Sequence, residues 1–335
     1  MEKSAKRHKK RALIAIPCLA VLIAGSLALY IFSRTYAKSM RLGVDMTPAA
    51  FDSILGRAIP ALVGMGAAAI IIAVVSLCFQ TVTQSRILTP SMIGFDSVFV
   101  GTQTLIVFFF GSTSGLFQNP YLNYVISAGA MVIVSMVMYG FILRSRRNNI
   151  VFLLMFGLVL SGIVRNGARY LQVIMDEKDF LQVQAATSVT VNNMNTGIIF
   201  LALPIMAVIT GIMLSRHQKY NIMSLGPDNA KSLGVHYERE MNLNLVLISV
   251  GMSVATALIG SLAFLGLLAV NIAREVLKTH RHMPLFIASA SLAALTLILG
   301  QGVVELLQGA VPVTVIIDLV GCSYMFYLIL KENRI

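Results

Sequence analysis

The sequence predicts an all-α protein that threads a membrane about ten times. The chain has 335 residues, of which 57% are apolar and only 12% charged, about half the charged share of a soluble domain. Its apolar residues gather in blocks of about 17 to 25, the length a helix needs to cross a bilayer. The polar stretches between blocks, longest near 34–57, 175–196 and 215–240, are too short for a soluble domain. Ten helices of about 20 residues would use about 200, leaving the remainder for termini and connections. The whole chain, 1–335, therefore reads as one transmembrane domain. A cytosolic enzyme, a disordered chain and a disulfide-stapled secreted module are all excluded.

Taken in order, the first block (12–33) follows the basic tail MEKSAKRHKKR, residues 1–11. It runs on without an A-x-A cleavage site, so a retained span is expected rather than a signal peptide. The second and third cover 58–79 and 91–111, and the fourth runs over 121–143. The fifth, 150–174, carries polar residues in its second half. The sixth is 197–214. The seventh and eighth, 241–260 and 262–278, run together, with Gly260 and Ser261 marking the turn. The ninth covers 284–307 and the tenth 312–330.

The formal net charge is +12, from 26 Lys+Arg against 14 Asp+Glu. In a soluble protein that balance would point to nucleic acid. Here the cations sit between apolar blocks and set orientation. With the N-terminus in the cytoplasm, only Arg34, Lys38, Arg41, Arg57, Arg165, Arg169 and Lys178 fall toward the outside, and the rest of the 26 lie inside. Both termini are therefore expected in the cytoplasm, which suits an even number of spans. No Walker loop, HExxH or GxSxG is present, so this chain is expected to harvest no energy from a nucleotide of its own. It is not read as an enzyme, and no cofactor is expected.

Ionisable residues inside spans are costly, about 2.5–3.5 kcal/mol each on insertion scales, and so mark function. The fifth span carries Ser161, Arg165, Asn166 and Arg169. The two arginines are one turn apart and share a face. They line a solute path, or they snorkel to the outer headgroups; both readings stand at this point. Asp96, Asp318, and the pair Gln301 and Glu305 are expected to make interhelical hydrogen bonds or ion pairs. No carboxylate looks central enough for a proton relay. Cys18, Cys78 and Cys322 lie in apolar runs and read as buried, inert thiols. The histidines fall in cytoplasmic segments, with His280-Arg281-His282 a solvated loop, and none has metal-ligand spacing.

The polar island SLGPDNAKSLGVHYERE, 224–240, separates the sixth and seventh spans. Gly226-Pro227 breaks the chain, and proline suits the first turn of a helix. Asp228 puts negative charge at that N-terminus, and Gly234 is placed for a left-handed C-terminal cap. The predicted helix has about seven residues, too few to be stable alone in water. It must pack on its own membrane domain or on a partner, and a helix so placed suits insertion into another subunit.

Four blocks then resemble one family. GRAIPALVGMGAAAIIIAVVSLCFQTVTQSRILTPSMIGFDS, 56–97, is similar to a family pattern at Arg57, Gly64, Gln80, Leu88, Pro90 and Gly94. LGPDNAKSLGV matches a coupling segment at Leu225, Gly226, Ala230, Leu233 and Gly234. GSLAFLGLLAVNIAR matches at Gly260, Phe264, Gly266, Leu267 and Arg274, and VPVTVIIDLVGCSYMFYLIL at Pro312, Gly321 and Phe326. In order and spacing they resemble the permeases of ATP-binding-cassette importers for iron–siderophore complexes, related to the vitamin B12 permease. The match runs from about residue 56 to 330. It departs at Val270-Asn271, where the family has Pro-His, and at Pro60, where a second arginine is usual. It departs again at Gln301-x-x-x-Glu305, where the family has Asp-x-x-x-Arg.

The resemblance implies ten helices in a vitamin B12 permease-like fold, paired with a second permease subunit, identical or homologous, around a central path. Two cytoplasmic ATP-binding subunits would receive the 225–234 segment, through Leu225, Gly226, Asp228, Ala230, Leu233 and Gly234. An extracytoplasmic siderophore-binding protein would dock outside, with Arg57 and Glu305 as candidate contacts. Ser161, Arg165, Asn166 and Arg169 are the candidate translocation path. The expected location is the cytoplasmic membrane, with lipid as the solvent and nucleic acid excluded as a partner. The alternative, a secondary transporter driven by an ion gradient, predicts a midplane ion- or proton-binding group between broken helices.

Overall fold

Unpaired backbone groups are too costly in lipid for anything but helices or closed barrels, and this chain takes the helical route. A computed structural model describes residues 22–35, 48–144, 150–189, 195–307 and 310–332. Among the described residues every regular element is a helix. In order these are α1 (Leu22–Thr35), α2 (Pro48–Val82), a 3₁₀ turn (Pro90–Ile93), α3 (Phe95–Phe110), α4 (Gly115–Gln118), α5 (Pro120–Arg144) and α6 (Ile150–Ile174). Then come α7 (Glu177–Thr187), α8 (Thr196–Ser215), α9 (His217–Met223), α10 (Pro227–Ser232), α11 (Tyr237–Ile259), α12 (Leu265–Leu277), α13 (His282–Leu306) and α14 (Val313–Glu332). Five of them, within α2, α5, α8, α11 and α13, are long and apolar enough to cross a membrane. The ten apolar blocks correspond in order to α1, α2, α3, α5, α6, α8, α11, α12, α13 and α14.

Two lengths differ from the hydropathy reading. Helix α2 begins at Pro48 and runs 35 residues, well beyond the apolar block. Helix α12 has 13 residues, about 20 Å at 1.5 Å per residue, against a hydrocarbon core of about 30 Å. With its C-terminus at one end of the bundle, α12 is therefore too short to span the core and starts inside the bundle. The segment Gly260–Phe264 is a break inside the bundle rather than a surface loop.

Helix α2 is the hub, packing against α8, α11, α12 and α13. Lipid offers no hydrophobic drive between helices, so close packing through small residues holds them instead. Ala68, Ala69 and Ala73 are fully buried on α2, beside Met65, Ile71, Ile72, Leu77 and Phe79. A Cβ on Gly266 of α12 would come within 2.0 Å of Ser76 Oγ, and one on Gly251 of α11 within 2.9 Å of Val75 Cγ2. A second group joins α3 to α6, where a Cβ on Gly157 would meet Ile93 Cγ2 at 2.7 Å. Between α3 and α5, Gln103 Nε2 donates to Asn123 Oδ1 at 2.6 Å and to Ser127 Oγ at 2.9 Å.

Candidate coupling site and solute path

Helix α10 has six residues, one fewer than predicted, with Pro227 in its first turn and Asp228 beside it. Its C-terminus is a Schellman motif: Val235 N–H donates to Ala230 O and Gly234 N–H to Lys231 O, each at 3.0 Å. That geometry requires a left-handed residue at Gly234, which has φ +82°. Asn229 Nδ2 donates to Leu225 O at 2.8 Å, bridging the entry. Ala230 is fully buried, while Leu225 and Leu233, at either end of the helix, are more than half exposed. Gly226 opens the helix at φ +94°, and Asp228 is exposed. The helix thus sits on its bundle through one small residue and turns two leucines outward.

So short a helix needs external support, and α9, which leads into it, is tied to the bundle on several sides. The Tyr220 hydroxyl donates to Asn244 Oδ1 on α11, and burial raises that hydroxyl far above its ordinary pKa. Glu240 accepts from Arg216, at the start of α9, and from Lys219 Nζ at 2.6 Å. Asn221 Oδ1 accepts from His282 N at 2.8 Å and lies 2.9 Å from His282 Nδ1. His282 Nε2 lies 2.8 Å from the Thr81 hydroxyl on α2, which itself donates to Leu77 O at 2.8 Å. Gln84 Nε2, just past α2, donates to Met223 O at 2.9 Å. Tyr220, His282 and Phe286 pack ring on ring beside these bonds. The segment leading into α10 is thus tied to α2, α11 and α13.

His282 corrects the sequence reading: it is 3% exposed, a buried junction rather than part of a solvated loop. Tyr220, Asn221 and Gln84 were not singled out from the sequence, because their partners lie far away in the chain. Cys78 is buried as expected, but Cys322 is exposed on α14, and Cys18 lies outside the described residues.

Helix α6 lays one face on α3. The Ser161 hydroxyl is 2.6 Å from that of Ser97, while Arg165, Asn166 and Arg169 are exposed on the rest of its surface. Met155, Leu158, Val159, Ile163, Tyr170 and Val173 are exposed there too, so the arginines interrupt an otherwise apolar face.

Asp96 neighbours the break between α11 and α12, while Asp318 lies half-buried in the second turn of α14, near a helix end as expected. Asp96 lies in the first turn of α3, whose N-cap Gly94 has φ +115°. It is 6% exposed, and its Oδ1 has no hydrogen-bond partner among the described residues. Ser261, Arg165 and Asp318 are its electrostatic neighbours. Asp318 stands about 21 Å along α14 from its C-terminal end at Glu332. Phe264 packs against α14 at Gly321, so the break between α11 and α12 joins this layer.

At the far end of the bundle, Arg34 is buried and donates to the Tyr30 hydroxyl at 2.5 Å. Glu305 is half-buried with Tyr30 among its electrostatic neighbours, and its Oε1 has no partner among the described residues. The backbone of Arg57 lies in α2, and its side chain lies outside the described residues. Glu305 and the α10 residues occupy opposite ends of the chain's long helices.

The chain is 38% identical over 265 residues to the petrobactin import system permease protein YclO of Bacillus subtilis, covering 78% of this chain and 84% of that one. It is 26% identical to the petrobactin import system permease protein FatC of Bacillus anthracis over 99% and 93% of the two chains. A solved structure in an inward-facing conformation, assigned to a metal-chelate type ABC transporter, superposes with a TM-score of 0.75 at 19% identity, covering 93% of this chain and 99% of that one. That likeness establishes that the two chains share a fold. A family model matches residues 18–331, and the chain belongs to the FecCD transport family.

Proposed function

We propose that this chain is the permease subunit of an ATP-binding-cassette importer moving an iron–siderophore complex across the cytoplasmic membrane. Family membership and the petrobactin permease relatives support the cargo class. The observation that carries the mechanism is α10: a six-residue helix seated through buried Ala230, presenting Leu225 and Leu233 to a partner. In this reading both termini and α10 are cytoplasmic, and two ATP-binding subunits dock there. Their closure pushes α10, and the clamp through Tyr220, Asn221 and Glu240 turns the push into rocking of the spans.

A second permease subunit, identical or homologous, completes the path and covers the exposed face of α6. Ser161, Arg165, Asn166 and Arg169 lie along the path, where the arginines attract an anionic chelate. A binding protein delivers the chelate from outside, near Arg57 and Glu305.

The test is co-purification with the ATP-binding subunits, followed by chelate-stimulated ATPase activity in liposomes. L225D/L233D is expected to abolish co-purification while the chain still reaches the membrane at its normal level. Uptake by this chain alone, driven by an ion gradient, would sink the proposal.

A further inference from the structure

A cleft of about 940 Å³ opens beside the α9–α10 junction, between the C-terminal ends of α2, α12 and α14 and the first turn of α13. Its walls are tied in place: Asn271 Nδ2 donates to Arg86 O across the cleft at 3.0 Å. Gln84 joins the same loop to Met223. Arg86, Arg274 and Lys278 line it, with Arg86 an electrostatic neighbour of Arg274. Glu275 is the one carboxylate in the lining, and it accepts from the Tyr324 hydroxyl at 3.2 Å. Gln80 also lines the cleft, is 2% exposed, and neither its Nε2 nor its Oε1 has a partner among the described residues.

An unpaired buried amide and gathered guanidinium groups are each costly beside a membrane. One ligand would relieve both: an anion with several acceptor oxygens, reached by two planar guanidinium groups and an amide N–H. Phosphate has that shape and charge. The cleft lies at the ends of four helices, the level of lipid headgroups, and Leu285 and Leu328 give it apolar wall. Basic pockets between membrane helices at that level hold anionic headgroups.

We propose that this cleft binds a phosphate group, presented by an anionic glycerophospholipid of the adjacent leaflet or by a free phosphate compound. The phosphate chemistry is independent of the cargo, but Leu225 borders both this cleft and the proposed ATPase-docking face, and the name of the leaflet rests on the proposed orientation.

The test uses the purified full chain. Native mass spectrometry would compare retention of phosphatidylglycerol and phosphatidylcholine by wild type, R274Q and R239Q. The last removes an equal charge from an exposed position outside the cleft. The expected result is at least a tenfold preference for phosphatidylglycerol, cut at least fivefold in R274Q and unchanged in R239Q. A parallel melt in phosphatidylcholine nanodiscs would titrate inorganic phosphate against chloride at equal ionic strength. Stabilisation by phosphate in wild type but not R274Q, without lipid preference, would identify a free phosphate as the source. Q80E places a carboxylate within the cleft, so it is expected to keep its melting temperature while losing retention, which separates ligand loss from misfolding. If neither arm separates wild type from R274Q, or R239Q behaves as R274Q does, the site does not exist.

Discussion

Gly234 holds φ +82° where α10 has to stop and the chain has to turn back toward α11. A residue with a Cβ pays roughly 1–2 kcal/mol for that conformation, and a six-residue helix has no internal margin to absorb it. Gly234→Ala should leave membrane insertion unchanged, because the spans are untouched. Chelate-stimulated ATPase activity of the reconstituted complex should fall severalfold. Normal stimulation would mean that the Schellman turn does not position Leu233 for the partner. Gly234 was legible in sequence because its signal is local, a glycine closing a short polar helix. His282 was not, because its neighbours Thr279, His280 and Arg281 are polar and its partners Asn221 and Thr81 are remote. A histidine's burial depends on who supplies its hydrogen bonds, and no window of sequence contains that answer.

Elements follow the same division. Hydropathy placed the ten apolar helices in order, since it measures the residues that lipid and core demand. It missed α7, whose first turn carries Glu177 and Asp179, and it could not see that α12 begins inside the bundle. The contact between α6 and the 3₁₀ turn is governed by shape alone. A Cβ at Gly157 would stand 3.1 Å from Ile93 Cα and 3.0 Å from its carbonyl oxygen, backbone atoms with little room to yield. Gly157→Leu should therefore force α6 away from α3, at about 1–3 kcal/mol for overpacking, and lower the melting temperature of the purified chain. Gly211→Ala in α8, where a Cβ meets nothing within 4 Å, should melt with wild type or slightly above it. Equal melting of the two variants would show that α6 rests on α3 more loosely than the geometry requires.

Across the whole molecule, a polar layer lies between two chemically different ends. The α10 end gathers hydrogen bonds that join α9 to α2, α11 and α13, while among the described residues α6 leaves an exposed face with Arg165 and Arg169 on it. The charge pattern of that layer was only half legible. The arginines stand out as cations within an apolar run, but Arg165, Ser261 and Asp318 come from separate parts of the chain that only the fold brings near Asp96. Arg165 thus faces a carboxylate neighbour as well as the open side of α6, and snorkelling to headgroups does not require such a neighbour. If the pair attracts an anionic chelate, charge rather than length should matter. R165K/R169K should retain most uptake, and R165Q/R169Q should lose at least tenfold while co-purifying normally with the ATP-binding subunits. Uptake unchanged in R165Q/R169Q would remove both arginines from the path. Equal loss in the lysine and glutamine variants would instead assign them to the geometry of guanidinium contacts, which a point-charge ammonium does not reproduce.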